Sequence, residues 1–390
     1  MVVYVDDLLI ASKDPTAKKK ITDALFAEFA IKREGPLTWY LGIGYDKVAP
    51  EDGGGWKLSQ KTFIQSLVRK TTTLSPRHTE TKTRSRFRTP PPSEGEIEAL
   101  EKSENVNLQQ LIGSLLYVST NTRPDIALAV SRIARYVTRP TKEIIRAAKH
   151  VVKYLHATED RGLHIRPANG AATELSVDAS WLGEFQKHGN PRYGFVCKTA
   201  GSPITWKTSY VSHVCLSTCE AEYCALSLAT KEALHIQQLQ AEFRGVTAEY
   251  EMLRTGELPM VRESTKAFNV YEHIEGHAPN NTRVHNEDTQ RLEQARQLMA
   301  KITVLIKEDN LPATHAVKNA HGSFLRLRHI AAHYHWVREL HEMGIIRVVH
   351  VPGKEQEADF LTKTNITETK FKAVANTLTS NVKPAPKDDD

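Results

Sequence analysis

The sequence predicts an α/β protein in which a mixed sheet is flanked by helices. Segment 175–181 alternates apolar residues with a single carboxylate, Asp178, and this is how a strand carries an acid onto one face of a sheet. Segment 193–206 combines β-forming residues with a Gly-Ser-Pro turn signal, which is typical of an antiparallel meander. Two further strand-like segments, 302–306 and 348–351, follow much later and complete the sheet.

Length and composition predict a globular protein of two domains with tails. The chain has 390 residues, of which 40% are hydrophobic and 25% are charged. It contains no apolar run of about 18 residues, so we expect no transmembrane helix. The first residues lack the basic region of a signal peptide, so we do not expect secretion. Four cysteines without paired spacing favour free thiols in a reducing compartment over a disulfide or a zinc site.

The first 70 residues contain a short hairpin and a helix. Residues 2–11 form two apolar segments around Asp6 and Asp7, and adjacent carboxylates at such a bend suit divalent-cation binding for phosphoryl transfer. Two acids in a turn are also common without any function. An amphipathic helix is predicted over residues 16–29, with an apolar stripe along one face.

Positive charge is concentrated between residues 69 and 88, a segment that contains seven lysine or arginine residues and one glutamate. This segment, which includes Arg84, Arg86 and Arg88, suits a surface that follows a phosphate backbone, or else a solvated linker. We predict three helices after it, over 108–118, 124–136 and 141–156. In these, Pro124 and Asp125 are ordinary start signals, and Lys149 and Lys153 belong to a basic face that suits either solvent or nucleic acid.

Several short motifs follow one another in a fixed order along the chain. They are Tyr4-Val5-Asp6-Asp7, Tyr40-Leu41-Gly42-Ile43, Leu58-Ser59-Gln60-Lys61, Leu111-Ile112-Gly113-Ser114, Asn121-Thr122-Arg123-Pro124-Asp125-Ile126, Lys153-Tyr154-Leu155, Asp178-Ala179-Ser180-Trp181, Ser217-Thr218-Cys219-Glu220-Ala221-Glu222-Tyr223, Asp309-Asn310 and Val351-Pro352-Gly353-Lys354-Glu355-Gln356-Glu357-Ala358-Asp359. This ordered set resembles the C-terminal part of the Pol polyprotein of copia-type LTR retrotransposons.

The resemblance implies an RNase H-like mixed sheet, preceded by a truncated reverse transcriptase palm and thumb and a helical connection. It divides the chain into a palm end and thumb (1–70), a basic, proline-rich linker (71–105), a helical connection (106–165), an RNase H-like domain (173–365) with an insertion (243–300), and a disordered tail (377–390). The first catalytic aspartate of the family's polymerase lies upstream of this sequence. We therefore expect polymerase activity only in a full-length parent.

The resemblance also implies four catalytic carboxylates that hold two divalent cations: Asp178, Glu222, Asp309 and Asp359. Mg²⁺ or Mn²⁺ suits such oxygen ligands. Glu220 competes with Glu222 for the second position. Ser217 three residues before Glu220 favours a helix-capping role for Glu220, whereas Glu222 has the spacing to Ala225 that follows the catalytic glutamate of RNases H.

The resemblance implies an Mg²⁺-dependent ribonuclease that cleaves the RNA strand of RNA–DNA hybrids. Its partners would be a hybrid or another nucleic acid and a complete reverse transcriptase subunit, with no membrane. A cytoplasmic virus-like particle and the nucleus are the expected locations. Two alternatives stay open: a catalytically inactive nucleic-acid-binding remnant of a decayed element, and a fragment without an independent role.

Overall fold

The computed structural model describes residues 1–12, 14–32, 35–71, 94–167, 173–181, 190–244, 302–318 and 331–383. The chain divides into two compact units, Met1–Leu41 and Gly42–Asp390. The functional division inferred from the sequence, with its first boundary near residue 70, therefore differs from the division into compact units. No helix among the described residues is both long and apolar enough to cross a bilayer.

The first unit contains the predicted hairpin and helix. Strands β1 (Val2–Tyr4) and β2 (Asp7–Leu9) pair antiparallel across a two-residue bend. Helix α1 (Pro15–Glu28) begins at Asp14, whose carboxylate accepts the Thr16 backbone N–H at 2.8 Å. No residue of α1 is buried, so its apolar stripe packs into no core within this unit. A short strand, β3, spans Trp39–Tyr40.

The second unit begins with an antiparallel sheet and a helical cluster. The sheet pairs β4 (Ile43–Lys47) with β5 (Trp56–Ser59), and β5 with the later strand β6 (Leu163–Ile165). The helices are α2 (Lys61–Thr71), α3 (Glu94–Glu104), α4 (Leu108–Asn121), α5 (Ala127–Ala134) and α6 (Lys142–Ala157). Their apolar faces form one buried core, which excludes water from most of this region.

A fully buried ion pair stabilises the junction of these helices. Arg123 donates to both carboxylate oxygens of Asp125, at 2.9 and 2.7 Å, and neither side chain has any exposed surface. Arg123 also donates to the backbone oxygen and hydroxyl of Thr158, and Tyr154 donates its hydroxyl to Asp125 at 2.7 Å. Burial alone would raise the pKa of Asp125, but the adjacent guanidinium holds this pKa below its usual value.

A five-stranded mixed sheet forms the second part of this unit. Its strands are β7 (Thr173–Ser180), β8 (Arg192–Thr199), β9 (Ser202–Tyr210), β10 (Val304–Glu308) and β11 (Ile346–His350). They lie in the order β11-β10-β7-β8-β9. Strands β7 to β9 form the predicted meander, and β10 runs parallel to both β7 and β11. The predicted α/β class, a mixed sheet flanked by helices, is confirmed.

Five helices accompany this sheet: α7 (Thr218–Arg244), α8 (Leu311–Lys318), α9 (Ala331–Glu342), α10 (Asp359–Thr362) and α11 (Glu368–Leu378). The large core between α7 and the sheet is built from alternate strand residues such as Leu175 and Val177, both fully buried. A smaller core joins α10 and α11 to the helical cluster. Its buried residues are Ala127, Val196, Phe360, Leu361, Val374 and Leu378.

The structure describes part of the predicted linker and part of the predicted tail. Residues 94–104 of the predicted linker form α3, while 72–93, including the whole of the Arg84–Arg88 run, lie outside the described residues. The predicted disordered tail is ordered up to residue 383, because α11 ends at Leu378 and Ser380 pairs with Gly162 through two backbone hydrogen bonds. Residues 384–390 lie outside the described part, and so does the predicted insertion beyond Arg244.

Candidate metal centre

Strand β7 carries the first predicted acid, Asp178, to the middle of the sheet. The Asp178 side chain is fully buried, and the Thr362 hydroxyl donates to its Oδ2 atom. Its neighbour on β8 is Gly194, and a Cβ atom there would lie 2.5 Å from the Leu361 Cβ atom. The missing side chain at Gly194 therefore allows α10 to approach the strand that carries Asp178.

This close approach gives a testable prediction. Gly194→Ala should lower the free energy of unfolding by about 1–3 kcal/mol, because overpacking forces the surroundings to shift. Chemical denaturation with Gly113→Ala as the control tests this, because a Cβ at Gly113 of α4 meets no atom within 4 Å and should stabilise slightly. A Gly194→Ala variant as stable as the wild type would contradict the packing argument.

The start of α7 distinguishes the two candidate glutamates. Ser217 Oγ accepts the Glu220 backbone N–H at 3.2 Å, and Glu220 Oε2 accepts the Leu216 backbone N–H at 2.6 Å. Glu220 is therefore part of a capping arrangement at the helix N-terminus. Glu222 is oriented towards the sheet, where its Oε2 accepts the backbone N–H of Ala179 at 2.7 Å. The structure thus brings Glu222 beside Asp178.

The end of β10 supplies Asp309 and a further acid, Glu308, that the sequence analysis did not single out. Glu308 is fully buried at the last position of the strand, and its Oε1 accepts the Asn310 backbone N–H at 3.0 Å. Its Oε2 has no hydrogen-bond partner among the described residues. Asn310 caps α8 by accepting the Ala313 backbone N–H at 2.9 Å, which holds the turn after Asp309 in place.

Helix α10 supplies Asp359, which is neutralised by Lys363, directly after this helix, and by Lys370 of α11. Lys363 Nζ lies 2.5 Å from Asp359 Oδ1 and 3.1 Å from Asp178 Oδ1, and Lys370 Nζ binds Asp359 Oδ2. Gln356, three residues before α10, donates its side-chain N–H to the backbone oxygen of Val177 at 2.7 Å and so ties the start of this helix to β7. Because Val177 directly precedes Asp178 on β7, this hydrogen bond holds the start of α10, and with it Asp359, beside Asp178.

The carboxylates form two groups that share one residue. Oxygens of Asp178, Asp309 and Asp359 lie within 4.8 Å of one another, and so do oxygens of Glu222, Glu308 and Asp309. In an octahedral magnesium site, ligand oxygens stand about 3 Å apart when adjacent and about 4.2 Å apart when opposite. The spacing in each group therefore leaves room for one small cation, and the four predicted acids all belong to these groups.

Burial and repulsion between carboxylates raise the pKa values of three acids of this centre, Asp178, Glu222 and Glu308. Burial raises the pKa of Asp178 to about 7, against the opposing effect of Lys363. Burial also raises the pKa values of Glu222 and Glu308 well above their usual range, with a further contribution from neighbouring carboxylates. Bound cations would relieve this repulsion. The donor set of hard oxygens, with an unpaired oxygen on Glu308, fits divalent magnesium or manganese.

The raised pKa of Asp178 predicts how pH affects stability without metal. In the unfolded chain an aspartate has a pKa of about 4. Between this pH and about 7, Asp178 is therefore protonated in the folded state and ionised in the unfolded state, so a rise in pH favours unfolding. Wild-type protein should lose stability relative to an Asp178→Asn variant as the pH rises through this window. Urea unfolding of both proteins in chelator at several pH values measures the difference. A difference that stayed constant or grew in favour of the wild type would contradict the shift.

The other predicted site residues lie outside this centre. Asp6 and Asp7 are exposed at the hairpin of the first unit and belong to no group of three candidate ligands among the described residues. Lys149 is paired with Glu104, whose carboxylate is 2.8 Å and backbone oxygen 3.0 Å from the Lys149 Nζ atom. These two contacts use two of the three N–H donors of the Lys149 ammonium group, and its role in nucleic-acid binding stays a prediction. Lys153 is half-buried on the same helix.

Comparison with known proteins adds a separate line of observation. Residues 1–83 match the family model described as reverse transcriptase (RNA-dependent DNA polymerase). The chain is 27% identical over 365 residues to the retrovirus-related Pol polyprotein from transposon RE1 of Arabidopsis thaliana, covering 93% of the chain and 20% of that relative. It is 24% identical over 376 residues to the corresponding polyprotein from transposon TNT 1-94 of Nicotiana tabacum, covering 93% and 23%.

Solved structures match as well, and one of them is an RNase H domain. The N-terminal RNase H domain of a Mycobacterium tuberculosis protein, determined as a fusion with maltose-binding protein, aligns with 53% of the chain over 98% of its own length, at 12% identity and a TM-score of 0.24. The chain spans about a fifth of the length of the two plant polyproteins.

Proposed function

Because the chain belongs to the Pol polyproteins of copia-type retrotransposons, we propose that its carboxylate cluster is the catalytic centre of an RNase H-type ribonuclease. The substrate is the RNA strand of an RNA–DNA hybrid, and the reaction is hydrolysis of an internal phosphodiester. The catalytic residues are Asp178, Glu222, Asp309 and Asp359, with Glu308 as a fifth carboxylate of the same centre.

The observation that carries this proposal is the convergence of buried acids from separate elements. Strand β7 and helix α10 contribute to one carboxylate group, strand β10 and helix α7 contribute to the other, and Asp309, directly after β10, belongs to both. So many buried carboxylates are costly for the fold, because the interior disfavours unpaired charge. Such a cost is typical of sites selected for function, and the oxygen donors suit two divalent ions. When bound, such ions activate water and stabilise the leaving oxygen.

The protein residues hold the acids in place. The Thr362 hydroxyl donates to Asp178 Oδ2, and the Ala179 backbone N–H donates to Glu222 Oε2. Glu222 Oε1 is left to a ligand, whereas a cation at Asp178 Oδ1 would take the place that Lys363 Nζ holds at 3.1 Å. Lys363 offsets part of the negative charge between Asp178 and Asp359. Fixed oxygens of this kind need little reorganisation when the substrate phosphate arrives.

Nucleic acid is the proposed partner, in accordance with the net charge of +6 and the cationic run between residues 69 and 88. Magnesium is the proposed cofactor, with manganese as a substitute. Polymerase chemistry is proposed only for a longer parent protein, since Asp6 and Asp7 supply two carboxylates and the described residues near them form no metal group. A complete reverse transcriptase subunit is a further proposed partner.

Metal removal tests the proposal directly. Purified full chain should cleave the RNA strand of an end-labelled RNA–DNA hybrid in Mg²⁺ or Mn²⁺, and chelation should abolish cleavage. We expect single-stranded RNA, duplex RNA and duplex DNA to remain intact under the same conditions. Cleavage that persists in chelator would count against a metal centre. Salt-dependent binding of the hybrid by folded protein without cleavage in either metal would instead support the catalytically inactive remnant.

A further inference from the structure

A second group of metal-binding side chains lies beside the start of α7. His213 and Cys215 belong to the connection between β9 and α7, and Cys224 lies in the second turn of the helix. Their ligand atoms all lie within 4.8 Å of one another, and Cys224 Sγ is 3.4 Å from His213 Nε2. All three side chains are distinct from the carboxylate centre.

We propose that His213, Cys215 and Cys224 form a binding site for one Zn²⁺-class ion, with solvent as the fourth ligand. Zinc takes thiolate sulfur at about 2.3 Å and imidazole nitrogen at about 2.0–2.1 Å in tetrahedral sites. Those bond lengths place a sulfur and a nitrogen ligand about 3.6 Å apart, and two sulfur ligands about 3.8 Å apart. The distance between Cys224 and His213 is therefore close to the edge of a zinc tetrahedron.

The donor chemistry separates this site from the carboxylate centre. Two sulfurs and one imidazole select zinc and similar soft ions, whereas the carboxylate oxygens favour magnesium. Cys215 and Cys224 are each 3% exposed, so the sulfurs approach the ion from the protein side. His213 is exposed and lies on the solvent side, where water has access to the remaining position.

The surrounding structure holds the ligands before any ion arrives. The backbone oxygen of Cys215 accepts the Trp181 indole N–H at 2.8 Å, which ties the connection to the end of β7. Cys224 is fixed by α7, whose N-terminus is closed by the Ser217 and Glu220 hydrogen bonds. A site with its ligands positioned in this way loses little conformational freedom on binding.

An ion at this position would join the connection after β9 to the second turn of α7. Glu222 lies two residues before Cys224 on that helix and accepts the Ala179 N–H. The site would therefore stiffen the support of one acid of the carboxylate centre without touching its oxygens. The proposal does not depend on ribonuclease activity, since metal binding to the two sulfurs is measured on its own.

Cobalt(II) is the probe for this site, because thiolate ligation produces an intense near-ultraviolet charge-transfer band and tetrahedral Co²⁺ produces strong visible bands. The full chain, freed of metal and kept in a non-thiol reductant, should develop both on titration and saturate at one Co²⁺ per chain. Zn²⁺ should displace the signal. Carboxylate-bound Co²⁺ gives no sulfur charge transfer, so an Asp178→Asn variant should show the same titration even if the proposed ribonuclease is wrong.

Matched variants identify the ligands. Cys215→Ser and Cys224→Ser should each remove much of the charge-transfer band, and His213→Ala should weaken Co²⁺ binding at least tenfold. The controls Cys197→Ser and Cys219→Ser should titrate like the wild type, since neither thiol belongs to the group. The His213 side chain is exposed, so its removal tests the site even if a buried serine impairs folding. Absence of the band in wild-type protein, or a Co²⁺ affinity that is unchanged in His213→Ala, would overturn the proposal.

Thiol counting distinguishes metal binding from oxidation. All four cysteines are free thiols in this structure. Zn²⁺ should protect two of them from alkylation, and chelator should reverse this protection. A purified protein in which Cys215 and Cys224 are joined by a disulfide that re-forms after reduction, with no bound Co²⁺, would refute the metal site and indicate a redox pair instead.

Discussion

Replacing Asp178 by asparagine is expected to slow hybrid cleavage by at least about a thousandfold, because ligands that hold catalytic metal ions contribute several kcal/mol to transition-state stabilisation. The side chain is fully buried between β7 and α10, so solvent cannot supply a substitute oxygen in the same position. Asparagine has the same shape and can still accept from Thr362. We expect no loss of folded structure, since burial already disfavours the charged carboxylate.

Single-turnover cleavage of the labelled hybrid, with circular dichroism of both proteins, measures this effect. Glu222→Gln and Glu220→Gln form a matched pair of further variants. The first removes an acid of the carboxylate centre and should be nearly as inactive as Asp178→Asn. The second weakens a helix cap, which costs about 1 kcal/mol of stability but leaves the centre intact. Equal activity in these two variants would refute the assignment of Glu222.

Arg123→Ala is expected to lower the free energy of unfolding by about 3–5 kcal/mol, the cost of leaving one member of a buried ion pair without its partner. Asp125 would keep only the Tyr154 hydroxyl, and Thr158 would lose both hydrogen bonds from the guanidinium. Because neither charged side chain has exposed surface, water cannot replace the missing donors. The loss is close to the whole stability of a marginal domain.

Denaturant titration at neutral pH measures this loss, and Arg139→Ala is the control. Arg139 is exposed just after α5, so its removal should change stability by less than about 0.5 kcal/mol. Combining Arg123→Ala with Asp125→Ala removes the stranded charge and should recover part of the loss. A single Arg123→Ala variant as stable as the control would show that the buried pair has little effect on the folded state.

Local sequence patterns predicted much of the fold. The alternation around Asp178 and the Gly-Ser-Pro signal specify a meander because strand periodicity and turn chemistry act over a few residues. The grouping of Asp178, Glu222, Asp309 and Asp359 came from the order of family motifs. It did not come from any one local pattern, since an acid at a strand end or a helix start is usually structural.

Features that depend on long-range packing were missed. Glu308 resembles any strand-end residue, and its burial depends on α7 and α8 packing against β10. Asp125 has the sequence context of a helix start signal, yet its carboxylate pairs with Arg123 inside the core. The group of His213, Cys215 and Cys224 lacks familiar ligand spacing, because the connection must fold back onto α7 before the sulfurs meet. A residue's own neighbours in the sequence do not specify these contacts.

The small core shared by α10, α11 and the helical cluster has a consequence for where the part of the chain that carries the carboxylate centre can begin. Phe360 and Leu361 of α10 pack in the same cluster as Ala127 of α5, and Trp206 of β9 donates its indole N–H to the Ser119 backbone oxygen at 2.7 Å. A recombinant fragment starting at residue 173 would expose this apolar face and aggregate. The smallest fragment that keeps the helix bearing Asp359 folded therefore includes the helical segment 106–165. We expect this segment and the mixed sheet to evolve together.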